Sequence, residues 1–400
     1  MSLVVDSLTN PLNRWNEKNI QEPVTKLLGE APEQIRHDRT HFPGSRPIQM
    51  VFIATLSSGH ETPVLAEHCA ENAVAHQESI IKSLRKSRHG QKTGLDGTAI
   101  IADEKTGLVL RRPGLDERLP GLRMLYDRSF ARHIVTQVLE RDLGPIAINL
   151  VAHRLGKRAV LRIDAADQSI YARVRAIKSA DGAERYARHQ SLWDARALCS
   201  HLRIPEPLGL LPELGLSLFS ELPGEAPNFS SAHSGAMAAA LADLQQLDMP
   251  ELPVHTGLDE ARLLHDWLMR CRQYRPTFAS ELETGIKDVT RILARTESNH
   301  RPCHRDLHEK QILMANGVVG LLDFDTLSLA DPALDAGNLL AHLYLAGVDE
   351  GPLRDAIDVP DVGLWRQAAL YRLAMIYAFS STSDATLNGL IQEAARDARD

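Results

Sequence analysis

Two hydrophobic rhythms divide the chain. Short apolar or alternating runs at 49–56 (QMVFIATL), 98–103, 107–111, 159–163, 169–177, 208–211 and 216–219 have the length and spacing of strands. Turn residues separate them. Ser57-Ser58-Gly59 precedes a return strand at 63–66, Glu104-Lys105-Thr106 closes a hairpin on Gly107, and 164–168 makes another turn. Apolar residues three and four apart predict helices over 21–28, 73–86, 129–141, 183–202, 234–247, 258–274, 279–295, 333–347, 362–380 and 385–399. Most strand signals precede Pro223-Gly224, and beyond it helices dominate. A strand, strand, helix order occurs at 49–86 and again at 159–202, with identity too poor to call a duplication. The class this predicts is α+β.

Four hundred residues exceed what one hydrophobic core organises, so several domains are expected. A composition of 44% hydrophobic and 24% charged residues fits a globular chain and not a disordered one. The net charge of -7 argues against a nucleic-acid partner, whose phosphates call for a basic face. The basic run at 82–92 (KSLRKSRHGQK) therefore reads as a solvated face. Cys69, Cys199, Cys271 and Cys303 form no CxxC pair, and four thiols are too sparse for a disulfide scaffold, which suits a reducing compartment. The most apolar long stretch, 362–379, is broken by Arg366 and Arg372, so no membrane span is expected. The first residues lack the basic and apolar segments of a secretory signal. These readings predict a cytoplasmic protein, monomer or homodimer, with no membrane partner.

The chemistry concentrates in Cys303-His304-Arg305-Asp306-Leu307-His308-Glu309-Lys310-Gln311, followed twelve residues later by Asp323-Phe324-Asp325. Between them lies an apolar hairpin, 312–314 and 318–322, turning at Asn316-Gly317. A tight hairpin brings its ends together, so Asp306, Gln311 and Asp323 should surround one point. Two carboxylates and a side-chain amide suit Mg²⁺, a hard cation that takes oxygen ligands. Phosphoryl transfer needs such a set: one carboxylate to orient the attacking hydroxyl and accept its proton, and further oxygens to hold the metal against the phosphates. The expected roles are Asp306 as base, with Gln311 and Asp323 as metal ligands.

This motif, HRDLHEKQ…LLDFD…DPALD, resembles the catalytic core of the aminoglycoside phosphotransferase-like, or protein kinase-like, small-molecule kinases. Their pattern is H-x-D-x-x-x-x-N, a strand ending in aspartate, then D-P-x-x-D. His304, Asp306, Asp323, Asp331 and Asp335 match it. The resemblance spans about 145–395, although only 303–335 is specific. It implies a bilobal protein kinase-like fold with an additional N-terminal α/β module: 1–144 accessory, 145–222 a β-rich nucleotide-binding lobe, and 223–400 a helical catalytic and acceptor-binding lobe. It implies ATP and Mg²⁺ as cofactors, and transfer of the γ-phosphate to a hydroxyl of a small molecule such as a sugar, an amino alcohol or an aminoglycoside-like compound. His304 and Asp335 would support the catalytic loop. Arg173 (in YARVR) or Lys178 (in VRAIK) would contact the phosphates, with Glu184 as acidic partner. Ser220, Glu221 and Leu222, in the hinge-like LSLFSELPG, would hold the adenine ring through main-chain atoms. His308 or Glu309 would touch the acceptor.

The sequence departs from the pattern in three places. Gln311 replaces the usual asparagine, as in the maltokinase-like branch. No G-x-G-x-x-G precedes the strands, and only Gly156, in Arg154-Leu155-Gly156-Lys157, stands near the expected phosphate loop. The phosphate-contacting cation is ambiguous. These departures also fit a pseudokinase that binds nucleotide and regulates a partner, and the N-terminal module fits an interaction protein. A zinc site at His304 and His308 is excluded by Arg305, which stands where a zincin carries glutamate.

Overall fold

The computed structural model of the chain describes residues 15–44, 46–69, 72–86, 99–177, 181–297 and 299–397. The chain divides into two compact units. The first comprises Met1–Ala183, Leu208–Phe219 and Phe379–Ser381, and the second Glu184–Pro207, Ser220–Ala378 and Thr382–Asp400.

The first unit opens with α1 (Glu17–Leu28), which starts earlier than its apolar pattern predicts because the Asn16 side chain accepts the N–H of Asn19 and caps it. The strands β1 (Gln34–His41), β2 (Gln49–Thr55) and β3 (Glu61–His68) follow, then α2 (Ala73–Lys86), β4 (Ile100–Asp103) and β5 (Leu108–Arg111). They form a five-stranded sheet in the order β1-β2-β3-β5-β4. Strand β1 is absent from the hydrophobic pattern. It is an edge strand, QIRHDRTH, in which only Ile35 and Thr40 are buried. One sheet face, with Phe52, Val64, Leu108 and Leu110, packs on Ile20, Val24 and Leu27 of α1. Ile100 and Val109, pointing the other way by strand alternation, pack on Ile80 and Leu84 of α2.

A second sheet follows α3 (Pro120–Leu125) and α4 (Arg128–Leu139). Its strands are β6 (Ala147–Arg154), β7 (Arg158–Asp164) and β8 (Ser169–Arg175), then, beyond α5 (Asp181–Ala195) and the short β9 (Leu202–Arg203), β10 (Pro207–Leu211) and β11 (Leu216–Ser220). The order is β10-β11-β8-β7-β6. Alternate residues Leu161 and Ile163, Ala172 and Val174, with Leu216 and Leu218, bury against Leu122 and Leu125 of α3 and Ile134 and Val135 of α4. This cluster draws on both sides of residue 144.

In the second unit, α5 ends at Ala195, short of the predicted 202. The backbone beyond it is drawn into strand pairing: β9 lies parallel to β14 (Val318–Leu321), and the N–H of Val319 donates to the carbonyl of His201 at 3.0 Å. The unit continues through α6 (Ser231–Gln245), α7 (Gly257–Tyr274), α8 (Pro276–Leu293), β12 (Arg301–Cys303), β13 (Ile312–Ala315), β14, β15 (Ser328–Ala330), α9 (Ala333–Leu345), α10 (Gly351–Ala356), α11 (Val362–Tyr377) and α12 (Asp384–Asp397). The hairpin β13–β14 pairs Ile312 with Leu321 and Ala315 with Val318. Its buried side chains Ile312, Val319 and Leu321 join Leu241 and Leu244 of α6 and Leu339 and Leu343 of α9 in one core. Helix α10, six residues long, is too short to show a period and was not expected. The two arginines that interrupt the apolar run of α11 are ion-paired: fully buried Arg366 meets Glu350 at 2.6 Å and Glu393 at 2.9 Å, and Arg372 meets Glu260.

Two five-stranded sheets and a helical second unit make the chain α+β, as expected. Among the described residues no helix is long and apolar enough to cross a membrane.

Candidate active site

The segment 303–335 of the second unit carries the site. Cys303 ends β12, paired with Ser328 of β15. The chain then turns through Arg305, whose φ of 69° is left-handed. That conformation costs a residue with a Cβ on the order of 1–2 kcal/mol. Asp335, in the first turn of α9, stabilises it: its carboxylate accepts the N–H of His304 and of Arg305, each at 2.7 Å. Asp335 is fully buried. Burial pushes its carboxyl pKa up, against the opposing pull of His304 and of the two backbone donors.

His304 spans the loop. Its Nε2–H donates to the carbonyl of Leu322 at 2.7 Å, and its Nδ1 accepts the N–H of Asp306 at 3.4 Å. The two partners together place the ring proton on Nε2. The His304 carbonyl takes the Thr326 hydroxyl at 2.7 Å, and the ring packs on Phe324 with centroids 4.8 Å apart.

Gln311 ends a single helical turn, Glu309–Gln311. Its carbonyl accepts the N–H of Leu322 at 2.9 Å, where the β13–β14 hairpin opens. Asp323 comes next in left-handed conformation, φ 65° and ψ 55°. Leu322 therefore links all three: its carbonyl through His304 to Asp306, its N–H to Gln311, and its chain neighbour is Asp323. The structure brings Asp306, Gln311 and Asp323 to one end of the hairpin. Asp306 is exposed to solvent. Gln311 is 6% exposed, and its Oε1 is buried with no hydrogen-bond partner. Such an oxygen costs on the order of 1–3 kcal/mol unless a cation or water completes it. Among the described residues no three His, Cys, Asp or Glu side chains group as a metal cage. One or two carboxylates with an amide suit Mg²⁺, which keeps waters and phosphate oxygens in its shell.

Asp331 accepts the N–H of Ala333, the first residue of α9, at 2.8 Å. His308 lies beside His342, ring centroids 5.1 Å apart, and Glu309 lies 3.9 Å from His342 Nδ1. The His342 pKa is pushed down to about 3 by burial, then by His308, Arg372 and Lys310. His308 is lowered by burial too, against the pull of Asp306 and Glu309. The Oε2 of Glu309 is buried without a hydrogen-bond partner.

Ser220 is fixed to Glu206 in both directions: its N–H donates to the Glu206 carbonyl at 2.9 Å and its Oγ accepts the Glu206 N–H at 2.8 Å. Glu221 is exposed. Leu222 covers Gly320 of β14, where a Cβ would come within 2.6 Å of its side chain. Glu225 and Met314 exchange backbone hydrogen bonds at 2.7 and 3.0 Å, so this segment runs beside the β13–β14 hairpin. Glu184 is exposed on α5, and the next residue, Arg185, donates to the Asp325 carbonyl. Arg173 belongs to the first unit, on β8 opposite Val160, with its guanidinium 5.3 Å from the centre of the Phe219 ring. Lys178 lies outside the described residues.

Three supporting residues escaped the sequence reading. Asn338 Nδ2 donates to the carbonyl of Leu307 at 2.7 Å, and its Oδ1 accepts from Arg372. Arg372 also holds Glu260 of α7, which lies 3.1 Å from His255 Nε2. Burial pushes the Glu260 pKa up, but Arg372, His255 and Arg305 outweigh it and leave the carboxyl at about 2. Asn338 sits three residues after Asp335, on the same face of α9, and that spacing was a usable signal. Arg372 and Glu260 had no local signal.

Residues 148–371, more than half of the chain, match the model of a phosphotransferase enzyme family. A comparison with curated proteins finds no match. Among solved structures, the chain is similar to an ADP-bound aminoglycoside phosphotransferase, APH(2'')-Ib, at 14% identity over 68% of this chain and 97% of that one, TM-score 0.45. It is similar to the macrolide 2'-phosphotransferase MphH from Brachybacterium faecium at 15% identity, 67% and 97% coverage, TM-score 0.44. It is also similar to the choline kinase LicA from Streptococcus pneumoniae at 10% identity, 67% and 98% coverage, TM-score 0.45.

Proposed function

The chain belongs to the phosphotransferase enzyme family, and from that premise we propose that it is a small-molecule kinase that moves the γ-phosphate of ATP to a hydroxyl, using Mg²⁺. The observation that carries this reading is the buried, unpartnered Oε1 of Gln311 at the hairpin end that also presents Asp306 and Asp323.

In this reading Asp306 accepts the proton of the acceptor hydroxyl. Its exposure leaves the carboxylate open to a substrate, while the bond from its N–H to His304 fixes the backbone beneath it. Gln311 and Asp323 would hold Mg²⁺, which when bound neutralises charge on the transferred phosphoryl group. Asp335 and His304 keep the loop in its left-handed turn. Arg173 is the proposed contact to the nucleotide phosphates, and the backbone of 220–222 the proposed adenine edge. His308 and Glu309, beside Asp306 in the chain, are the proposed acceptor contacts. A sugar, an amino alcohol and an aminoglycoside-like compound all carry the hydroxyl that this chemistry needs.

The test is ADP release from Mg·ATP over a panel of those three acceptor classes, with the Asp306→Ala variant as blank. Release that depends on one acceptor class and vanishes in the variant supports the proposal. Nucleotide binding without acceptor-dependent release across the panel would overturn it in favour of a regulatory pseudokinase.

A further inference from the structure

Outside the phosphotransfer site, one group of side chains in the first unit joins a thiol, an imidazole and a carboxylate. Cys69 follows β3, and its N–H donates to the carbonyl of Gly107 at 2.8 Å. Glu67 lies two residues earlier, the spacing that puts strand side chains on one face. Helix α2 is capped by Asn72, whose Oδ1 accepts the N–H of Ala75 at 2.7 Å. The cap sets His76 in the first turn, where its imidazole meets both residues. The ring hydrogen-bonds to the Cys69 thiol, and its Nε2 lies 3.5 Å from Glu67 Oε2.

Glu67 is anchored independently of the imidazole. It is fully buried. Its Oε1 accepts from Gln49 Nε2 at 3.0 Å and meets Arg118 Nη1 at 3.0 Å, and its Oε2 accepts from Arg111. Arg111 in turn meets Glu117 at 2.7 Å. Burial pushes the Glu67 carboxyl up, but His76, Arg111, Arg118 and Gln49 outweigh it and hold it at about 2. Glu67 is therefore an anion in a set position beside the ring. The Cys69 bond and then Glu67 push the His76 imidazole up to about 9 against burial, so it is charged at neutral pH. A thiol bonded to an imidazolium, itself held by a third group, is the arrangement that activates sulfur as a nucleophile.

The other three thiols sit in a different field. Burial pushes Cys271 up to about 12 and Cys303 well above the ordinary thiol range. Burial, then Asp243, raise Cys199. Cys69 and His76 are both half-buried, which leaves the pair open to a small reagent.

We propose that Cys69 is a modification site: its sulfur, held against His76 and Glu67, is oxidised by small hydroperoxides to the sulfenic acid. With the proton of the pair on His76, the sulfur attacks one oxygen of hydrogen peroxide. The S–O bond forms and the O–O bond breaks. Sulfur gives two electrons to the peroxide, and the departing oxygen takes the His76 proton and leaves as water.

Alkylation by iodoacetamide is followed at each cysteine of the full chain by mass spectrometry at neutral pH, folded and unfolded in guanidinium. Wild type and His76→Gln are compared, with Cys69→Ser as blank, and matching thermal melts check that both variants fold. A thiol that is only accessible reacts no faster folded than unfolded, so a gain on folding reports activation. The expected result is a gain of tenfold or more at Cys69 that His76→Gln loses, with Cys271 and Cys303 protected. Hydrogen peroxide followed by dimedone should tag Cys69 as the sulfenic acid in wild type. No gain on folding, a gain that His76→Gln keeps, or no dimedone adduct at Cys69 overturns the proposal. Where His76→Gln melts early, the wild-type comparison of folded with unfolded chain decides by itself. None of these readouts uses nucleotide or acceptor, so the outcome is independent of the kinase reading.

Discussion

His304 Nε2 donates to the carbonyl of Leu322 at 2.7 Å, so the loop after β12 and the end of β14 are joined by one side chain. The same ring accepts the N–H of Asp306. The backbone of Asp306, the proposed base, and that of Leu322, next to the proposed metal ligand Asp323, are therefore set by a single imidazole with a defined proton.

Replacing His304 by Phe keeps the packing on Phe324 and removes both ring hydrogen bonds. The half-buried Leu322 carbonyl then loses its donor. A cost of about 1–3 kcal/mol in unfolding free energy is expected, with kcat reduced more than KM because Asp306 is misplaced. Urea unfolding and steady-state kinetics check it. Unchanged kcat would remove His304 from the positioning role.

Asp306→Asn should leave stability within about 0.5 kcal/mol, as for exposed positions generally, since the side chain is exposed. Loss of general-base catalysis is typically about 10²–10⁴-fold, read as ADP release with the best acceptor. Retention of a tenth of the wild-type rate argues for another base.

Gln311→Leu separates stability from activity. It removes a buried oxygen that has no partner. Stability should hold level or rise by up to about 1 kcal/mol, because an unsatisfied polar atom is gone. Turnover should fall, and Asp323→Asn should raise the Mg²⁺ concentration needed for half-maximal rate. A Gln311→Leu variant that unfolds more easily would show that the amide is satisfied in the free protein.

Glu260 links acid sensitivity to the site. Its carboxyl is held at about 2, below an ordinary glutamate at 4.5. A lowered folded-state value stabilises the protein above pH 4.5, and that stability is lost as pH falls from there towards 2. The contribution is on the order of a few kcal/mol for a shift of this size. Glu260→Gln should therefore be less stable than wild type at pH 7, and the difference should shrink on acidification. Parallel stability curves for the two proteins between about pH 5 and 2.5 would show that the Arg372–Glu260 pair contributes none of that slope.

What the sequence determined by itself is local. The hairpin ends, the two aspartates and the glutamine were legible because short spacings and a tight Asn316-Gly317 turn leave the backbone few ways to close. Helices with a full apolar period, such as α2 and α4, were legible for the same reason. Tertiary structure decided what depends on distant partners. Strand β1 is polar, and it pairs because β2 offers it an edge. The predicted helix to 202 stops at Ala195 because β14 takes the following backbone. Arg366 and Arg372, which read as interruptions, are accommodated because carboxylates outside α11 meet them: Arg366 is fully buried and Arg372 is 13% exposed. Burial of a charge is settled by its partners, and no window of sequence contains a partner a hundred residues away.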